Sequence, residues 1–171
     1  MREILFRGKR MDNGKWVEGY LYEHEPALVG IVSENDVPEP SKWLIARTGF
    51  ADWNMPRPVE FVEVDLSTVG QYTGLIDKNG VNIFEGDIVA LFGMKGKVVQ
   101  ECGAFGIGFM KTIDYDLLES KMPFNNSANF CFNDNFISLW EVFWNYEQDD
   151  NPLYEVEIIG NITDNPELLE K

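Results

Sequence analysis

The chain has 171 residues, 44% of them apolar, and a formal net charge of −15. Its twelve Phe and five Trp supply enough apolar area for a normal core, which excludes a mostly disordered chain. The excess of carboxylates repels phosphate groups and disfavours binding to nucleic acid. No apolar stretch reaches the roughly 18 residues of a membrane helix, and the first residues lack a signal-peptide pattern. Two lone cysteines, Cys102 and Cys131, favour a reducing cytosol over a disulfide framework.

The first part of the chain, residues 1–65, is predicted to be an N-terminal β-rich subdomain. A short strand within residues 2–7 and a longer one after the turn at 12–14 predict an opening β-hairpin, because Asn and Gly tolerate the backbone of a tight turn. Alternation in the second strand places one set of side chains on a single face: Trp16, Glu18, Tyr20 and Tyr22. Further strands are predicted at 27–32, 43–46 and 59–64, separated by loops at 33–42 and 47–58.

The second part, residues 66–171, begins after a break near 65–68 and is predicted to form one compact unit with the first. Strands at 88–92, 97–102 and 104–110, the last with internal glycines, favour a small closed barrel. Residues 114–135 are predicted to be mixed and to include a long loop, because their many asparagines argue against regular structure, and residues 136–146 fit either a helix or a strand. A strand at 154–159 and a helical turn with Asn165 at its N-cap close the chain. The predicted class is therefore α+β, mostly antiparallel β.

One long motif stands out, TVGQYTGLIDKNG at 68–80 followed by IFEGDIV at 83–89. It resembles the YopX family of phage and prophage proteins. The opening REILFR with WVEG and the closing IGNI with NPELL are similar to the two ends of that family, whereas 23–57 and 111–153 match nothing. The resemblance implies an α+β fold with an SH3-like barrel in the second half, and a home in the cytoplasm of an infected or lysogenic bacterium. It implies no mechanism and no functional residues.

The long motif also has a purely structural interpretation. Its glycines stand where tight turns need a positive φ or a close backbone approach. Asp77 and Asp87 can accept hydrogen bonds from nearby backbone amides, and the ring of Tyr72 can anchor the edge of a barrel. We therefore expect the motif to be mainly a folding signature.

Few residues suggest chemistry. His24 is the only histidine, which excludes a site built on two imidazoles. The pairs Glu85/Asp87 and Asp149/Asp150 are candidates for acid–base or Mg²⁺ chemistry, but neither stands in a recognisable ligand pattern. The cysteines have no nucleophile pattern, and no phosphate-binding loop is present. We therefore predict no catalytic, cofactor-binding or metal site.

Aromatic residues supply the candidates for protein contact. The run at 136–146 is interpreted first as core and otherwise as a protein–protein interface, because Trp and Tyr anchor such surfaces. A homo-oligomer is the favoured form of that interface. The candidate interaction residues are Tyr72, Trp140, Phe143 and Trp144.

The leading hypothesis is a non-enzymatic phage accessory protein that acts through protein contacts. We expect it to form homo-oligomers, to bind no membrane and to need no cofactor. One alternative is a carboxylate- or metal-dependent hydrolase of a small substrate. The other is an acidic mimic of nucleic acid that inhibits a host protein with a basic surface. A convergent polar pocket would favour the hydrolase. A ridge of evenly spaced carboxylates would favour the mimic of nucleic acid. An exposed apolar patch of a few hundred Å² would favour the contact protein.

Overall fold

Antiparallel strands make up most of the protein. The computed structural model describes residues 3–26, 40–48, 59–101, 103–121, 135–144 and 155–170. The chain divides into two compact units, Met1–Gln71 and Tyr72–Lys171. The prediction of a mostly antiparallel β fold is confirmed.

The first unit is built from the strands β1 (Phe6–Arg10), β2 (Trp16–His24), β3 (Lys42–Thr48) and the first part of β4 (Val59–Ile76). They pair antiparallel in the order β1-β2-β3-β4, and β1 also pairs with β4. The predicted opening hairpin is confirmed as β1 and β2, although β1 begins only at Phe6. Gly14 has a φ of 67° in the turn between them, which explains the glycine at that position.

The core of the first unit is small. Val17, Ile45 and Val64 are buried together, and four half-buried residues pack against them: Leu21, Trp43, Val62 and Val69. Gly19 permits this packing, because a Cβ at that position would lie 2.3 Å from the backbone oxygen of Ala46. The alternation predicted for β2 is confirmed, since Val17 and Gly19 are buried whereas Glu18 and Tyr20 are exposed.

The break predicted near 65–68 is an irregularity inside a continuous strand. β4 runs from Val59 to Ile76, but its pairing with β1 shifts register between Arg7 and Lys9. There the carboxylate of Asp65 accepts hydrogen bonds from the backbone N–H and the hydroxyl of Ser67, at 2.9 and 2.7 Å. These local bonds replace ladder pairing, so a bulge interrupts the register without ending the strand.

The second unit holds a five-stranded sheet in the order β10-β6-β7-β8-β9. Its strands are β6 (Asp87–Leu91), β7 (Met94–Glu101), β8 (Ala104–Phe109), β9 (Phe136–Ser138) and β10 (Val156–Asn161). The short strand β5 (Asn82–Phe84) pairs with the end of β4. The helices are α1 (Tyr115–Lys121), α2 (Leu139–Trp144) and a closing 3₁₀ helix (Pro166–Leu169). The buried cluster of this unit is the larger of the two and is formed by aliphatic residues of the strands and both α-helices, together with Phe109 and with Ile113, which precedes α1.

The helical segments of the second unit add detail to the predictions. The segment 114–135, predicted to be mixed, contains α1, which begins right after Asp114; the carboxylate of Asp114 accepts a hydrogen bond from the backbone N–H of Leu117 at 3.0 Å. The closing helical turn is confirmed with Asn165 as its N-cap and Pro166 at its start, although the side chain of Asn165 makes no capping hydrogen bond. The segment 136–146 contains both predicted forms, since β9 is followed directly by α2.

Some predictions fall outside the described residues. They include the strand at 27–32, most of the loops at 33–42 and 47–58, and the Asn-rich end of 114–135. Within the described ranges, no helix is both long and apolar enough to cross a membrane.

Candidate interaction surfaces

The long motif places Asp77 at the centre of a hydrogen-bond cluster. Its carboxylate accepts the backbone N–H groups of Asn79, Val81 and Ile158 at 2.8, 2.9 and 3.2 Å, and the side-chain amide of Asn79 at 3.3 Å. Burial acts to raise the pKa of Asp77, but these hydrogen bonds together hold that pKa below its usual value. The residue is only 3% exposed, so its carboxylate is stabilised by hydrogen bonds within the protein rather than by water.

The candidate pair Glu85/Asp87 flanks a tight turn at Gly86, where φ is 83°. Asp87 is buried, and its Oδ2 accepts the backbone N–H of Phe84 at 2.8 Å. Glu85 is half-buried. This geometry explains Asp87 as a turn residue, in line with the structural interpretation of the motif.

The other candidates for chemistry are dispersed. His24 is exposed at the end of β2, with its ring 6.3 Å from that of Tyr22. Asp149, Asp150, Cys102 and Cys131 lie outside the described residues. Across the part of the chain that the structure describes, no three His, Cys, Asp or Glu side chains are grouped so that they could hold a metal ion.

The four aromatic candidates for contact do not form one group among the described side chains. Tyr72 is half-buried, with its ring 5.5 Å from that of Phe84. Trp140 is exposed on α2. Phe143 and Trp144 belong to α2, but their side chains lie outside the described part of the structure.

The backbone of Trp140 takes part in a capping box at the start of α2. The Oγ of Ser138 accepts the backbone N–H of Trp140 at 3.1 Å, and Oε2 of Glu141 accepts the backbone N–H of Ser138 at 3.2 Å. Burial raises the pKa of Glu141, against the lowering effect of that hydrogen bond. The motif Ser-x-x-Glu at 138–141 is a sequence signal for a helix start that the sequence analysis missed.

A second group of aromatic side chains lies together on the outer face of the first sheet. Paired residues of antiparallel strands point to the same face. Tyr20 of β2, Ala46 of β3 and Phe61 of β4 are paired in one row across the three strands. The ring of Tyr22 lies 6.3 Å from that of Phe61 in an edge-on arrangement.

These side chains are exposed to an unusual degree. The exposed fractions are 58% for Tyr20, 51% for Tyr22, 59% for Phe61 and 61% for Val59. We call these four residues the aromatic face. Alternation along β2 predicts both tyrosines on one side of that strand, whereas Phe61 and Val59 were not predicted to lie beside them. The available signal was the segment 59–64, which carries apolar residues at both odd and even positions and so cannot bury them all on one face.

Among the described strand residues on the same outer side of the first sheet, the positive and negative charges are equal in number. The guanidinium of Arg7 lies 4.8 Å and Nζ of Lys9 5.5 Å from the ring centre of Trp16, both in cation–π range. Strand register adds Lys42 opposite His24 and places three carboxylates on the same side: Glu18, Glu63 and Asp65. Three cations thus face the same side as three carboxylates, in a chain whose net charge is −15.

The second sheet has a surface pocket of about 430 Å³ on its outer side. β7 contributes Lys97, Val99 and Glu101, and β8 with the residue after it contributes Gly108, Phe109 and Met110. The remaining lining residues are Asn135, which precedes β9, and Phe136, its first residue. It combines an apolar floor with charges of both signs. No sequence pattern indicated it, because it depends on the pairing of β7 with β8.

The fold and these surfaces define a mostly antiparallel β protein of two units, with an exposed aromatic face on the first and a surface pocket on the second. The chain belongs to the YopX family: the family described as YopX protein matches residues 5–170, nearly the whole chain. The resemblance of the 68–89 motif and of the two chain ends is thereby confirmed. No curated protein matches the chain.

Proposed function

We propose that this protein is a non-enzymatic contact protein that self-associates through its aromatic face. The observation that carries the proposal is the adjacency of Tyr20, Tyr22 and Phe61, each more than half exposed on neighbouring strands. Isolated exposed apolar residues are normal, but a contiguous group of rings is characteristic of an interface. Aromatic rings also carry most of the binding energy where they occur at the centre of an interface.

The size of the aromatic face fits the centre of a dimer interface. Three rings at half exposure present roughly 300 Å² on one copy. Two copies packed face to face would remove about twice that area from water, and the surrounding side chains of β2, β3 and β4 would supply the rest of a standard interface of about 1,600 Å². The rings would form the dry centre and the charged residues the rim.

The local charge on this side of the sheet is compatible with the association of two acidic copies. Two chains of −15 repel each other at long range. On the outer side of the first sheet, the described strands carry three cations against three carboxylates, so an approach through this side avoids most of that repulsion. Glu18 and Glu63 of one copy can then lie near Arg7, Lys9 or Lys42 of the other.

Membership of the YopX family suggests where in the cell the protein works. We propose that the protein works in the cytoplasm of a bacterium that carries a phage or prophage, as expected of a YopX family member. The second unit would be the SH3-like barrel of the family, a proposal supported by its short antiparallel strands β6, β7 and β8. In this proposal no reaction is catalysed, and function resides in assembly.

The test is the mass of the protein in solution, measured by size-exclusion chromatography with multi-angle light scattering. We expect the wild type to have twice the mass of one chain at micromolar concentration. The double variant Tyr22→Ser, Phe61→Ser should be a monomer there, since the loss of two central rings weakens a dimer by about thirtyfold or more.

The control is Met11→Ser, which removes an equally exposed apolar side chain from the hairpin turn of the same unit. It should leave the dimer intact. A monomeric wild type at high micromolar concentration, or a dimer that survives the double substitution, would contradict the proposal.

A further inference from the structure

The sequence contains two Asn-Gly pairs, Asn13–Gly14 in the first unit and Asn79–Gly80 in the second, each in a hairpin turn. Both asparagines are exposed, and both glycines have a positive φ, 67° at Gly14 and 78° at Gly80. Glycine has no Cβ to shield its backbone nitrogen, so that nitrogen can approach the side chain of the asparagine before it. Such a pair is open to cyclisation, and the two turns treat their asparagines differently.

The backbone nitrogens of the two glycines are held alike. The N–H of Gly14 donates to the backbone oxygen of Arg10 at 2.9 Å. The N–H of Gly80 donates to the backbone oxygen of Asp77, also at 2.9 Å. Either nitrogen must therefore give up one hydrogen bond of the same length before it can react, and the difference between the sites lies in the asparagine side chains.

The side-chain carbonyl of Asn13 is polarised toward attack. Its Oδ1 accepts the backbone N–H of Lys15 at 2.9 Å. Attack of a nitrogen on Cγ places negative charge on Oδ1, and a hydrogen bond to a charged oxygen is stronger than one to a neutral carbonyl. The N–H of Lys15 thus stabilises the intermediate of the reaction more than its starting state.

The side chain of Asn79 is held instead by a carboxylate. Its Nδ2 donates to Oδ2 of Asp77 at 3.3 Å, and its backbone N–H donates to Oδ1 of Asp77 at 2.8 Å. Asp77 is charged at neutral pH, because its hydrogen bonds hold its pKa below the usual value. That charge opposes a second negative charge on the adjacent side-chain oxygen of Asn79, so this turn disfavours the same reaction.

We propose that Asn13 is a site of spontaneous deamidation in the folded protein, whereas Asn79 is protected by Asp77. The backbone nitrogen of Gly14 loses its proton to solvent and bonds to Cγ of Asn13. The bond from Cγ to Nδ2 breaks as Nδ2 takes up a proton, and ammonia leaves. Water then opens the cyclic imide at either of its two carbonyl groups, which yields isoaspartate or aspartate at position 13.

The reaction changes the turn that joins β1 to β2. Either product adds a carboxylate next to Asp12, whose own carboxylate is paired with Arg10 at 2.6 Å. Isoaspartate also lengthens the main chain of the turn by one carbon atom. This added length acts on the hydrogen bond that closes the turn, from the N–H of Arg10 to the backbone oxygen of Lys15 at 3.0 Å.

The test compares each site with itself in the folded and the unfolded chain. The full chain is incubated at mildly alkaline pH in buffer and in concentrated urea, and isoaspartate at positions 13 and 79 is followed by peptide mapping with mass spectrometry. We expect folding to slow the reaction at Asn79 at least about fivefold more than at Asn13, since one hydrogen bond contributes about 1 kcal/mol. Equal slowing at the two sites, stronger slowing at Asn13, or no isoaspartate at position 13 of the folded chain would overturn the proposal.

Variants assign the difference to the two turns. Lys15→Pro removes the N–H that Oδ1 of Asn13 accepts, and Lys15→Ala keeps it, so only the first should slow the reaction at Asn13. Asp77→Asn removes the charge beside Asn79 and should speed the reaction there while Asn13 reacts at its wild-type rate. A rate at Asn13 that is no lower in Lys15→Pro than in Lys15→Ala, or an unchanged rate at Asn79 in Asp77→Asn, would overturn the proposal. The aromatic-face variants should react at Asn13 at the wild-type rate, which separates failure here from failure of the proposed self-association.

Discussion

The carboxylate of Asp77 accepts a hydrogen bond from the backbone N–H of Ile158, 81 residues further along the chain. The same region holds a backbone hydrogen bond from Lys78 to Val156 at 2.9 Å and an ion pair between Lys78 and Glu157 at 2.6 Å. The turn after β4 is thereby fixed to β10, an edge strand of the second sheet. This long-range contact explains why the turn motif has an aspartate at position 77.

Replacement of Asp77 should therefore destabilise the second unit. Asp77→Ala leaves three backbone N–H groups without their acceptor, and we expect a loss of about 3 kcal/mol in the free energy of unfolding. Lys78→Ala removes only an exposed ion pair and should cost less than about 1 kcal/mol. Urea unfolding followed by fluorescence measures both, and equal effects of the two substitutions would contradict the role assigned to Asp77.

The pKa of Asp77 predicts a dependence of stability on pH. Its pKa in the folded protein is below its usual value, so the charged form stabilises the fold above the usual carboxyl range, and that contribution is lost as the pH falls through the lowered pKa. Asp77→Asn removes this contribution. The difference in unfolding free energy between wild type and Asp77→Asn should be largest at neutral pH and shrink in acid. A difference that stays constant from pH 7 to pH 2 would contradict a lowered pKa of Asp77.

Glu141 should behave with the opposite sign. Burial raises its pKa in the folded protein, so its charged form opposes folding at neutral pH, and the wild type gains stability as the pH falls through the raised pKa. Glu141→Gln keeps an acceptor for the N–H of Ser138 but removes the charge. The variant should match or exceed the wild type in thermal midpoint at pH 7 and lose that advantage in acid. A clear loss of stability at pH 7 would show that the charge itself is needed.

The two glycines of β8 offer a matched pair. Gly106→Ala forces a Cβ into the ring of Phe136 and should cost about 2 kcal/mol or more through overpacking. Gly108→Ala places its Cβ at ordinary contact distance and should be neutral or slightly stabilising. Thermal unfolding of both variants decides this, and equal midpoints would contradict the packing of Phe136 over Gly106.

Sequence reasoning succeeded where the chemistry is local. The turns at 12–14 and 77–80 were predictable, because Asn, Asp and Gly determine tight turns within four residues. α1 was missed although Asp114 is a helix-capping residue, since the asparagines further along 114–135 dominated the interpretation. β9 and α2 were merged because Ser138, which caps the helix, also ends the strand.

The candidate surfaces were harder to predict because they depend on pairing. Tyr20 and Phe61 are 41 positions apart in the sequence and become neighbours in a row only because Ala46 of β3 pairs with both. Asp77 was correctly assigned to a turn, but its contact with Ile158 is invisible without the position of β10. The pocket likewise needs β7, β8 and β9 in register, which a single sequence does not specify.

The most direct test of self-association is photo-crosslinking at position 61. The variant Phe61→p-benzoylphenylalanine is prepared unlabelled, mixed with the wild-type chain made in heavy isotopes, and irradiated. The account predicts that position 61 attaches to heavy peptides from β2, β3 or the part of β4 before residue 72, the strands of the aromatic face. Cross-links that join position 61 to residues 72–171 of the heavy chain, or no cross-link between copies, would contradict it.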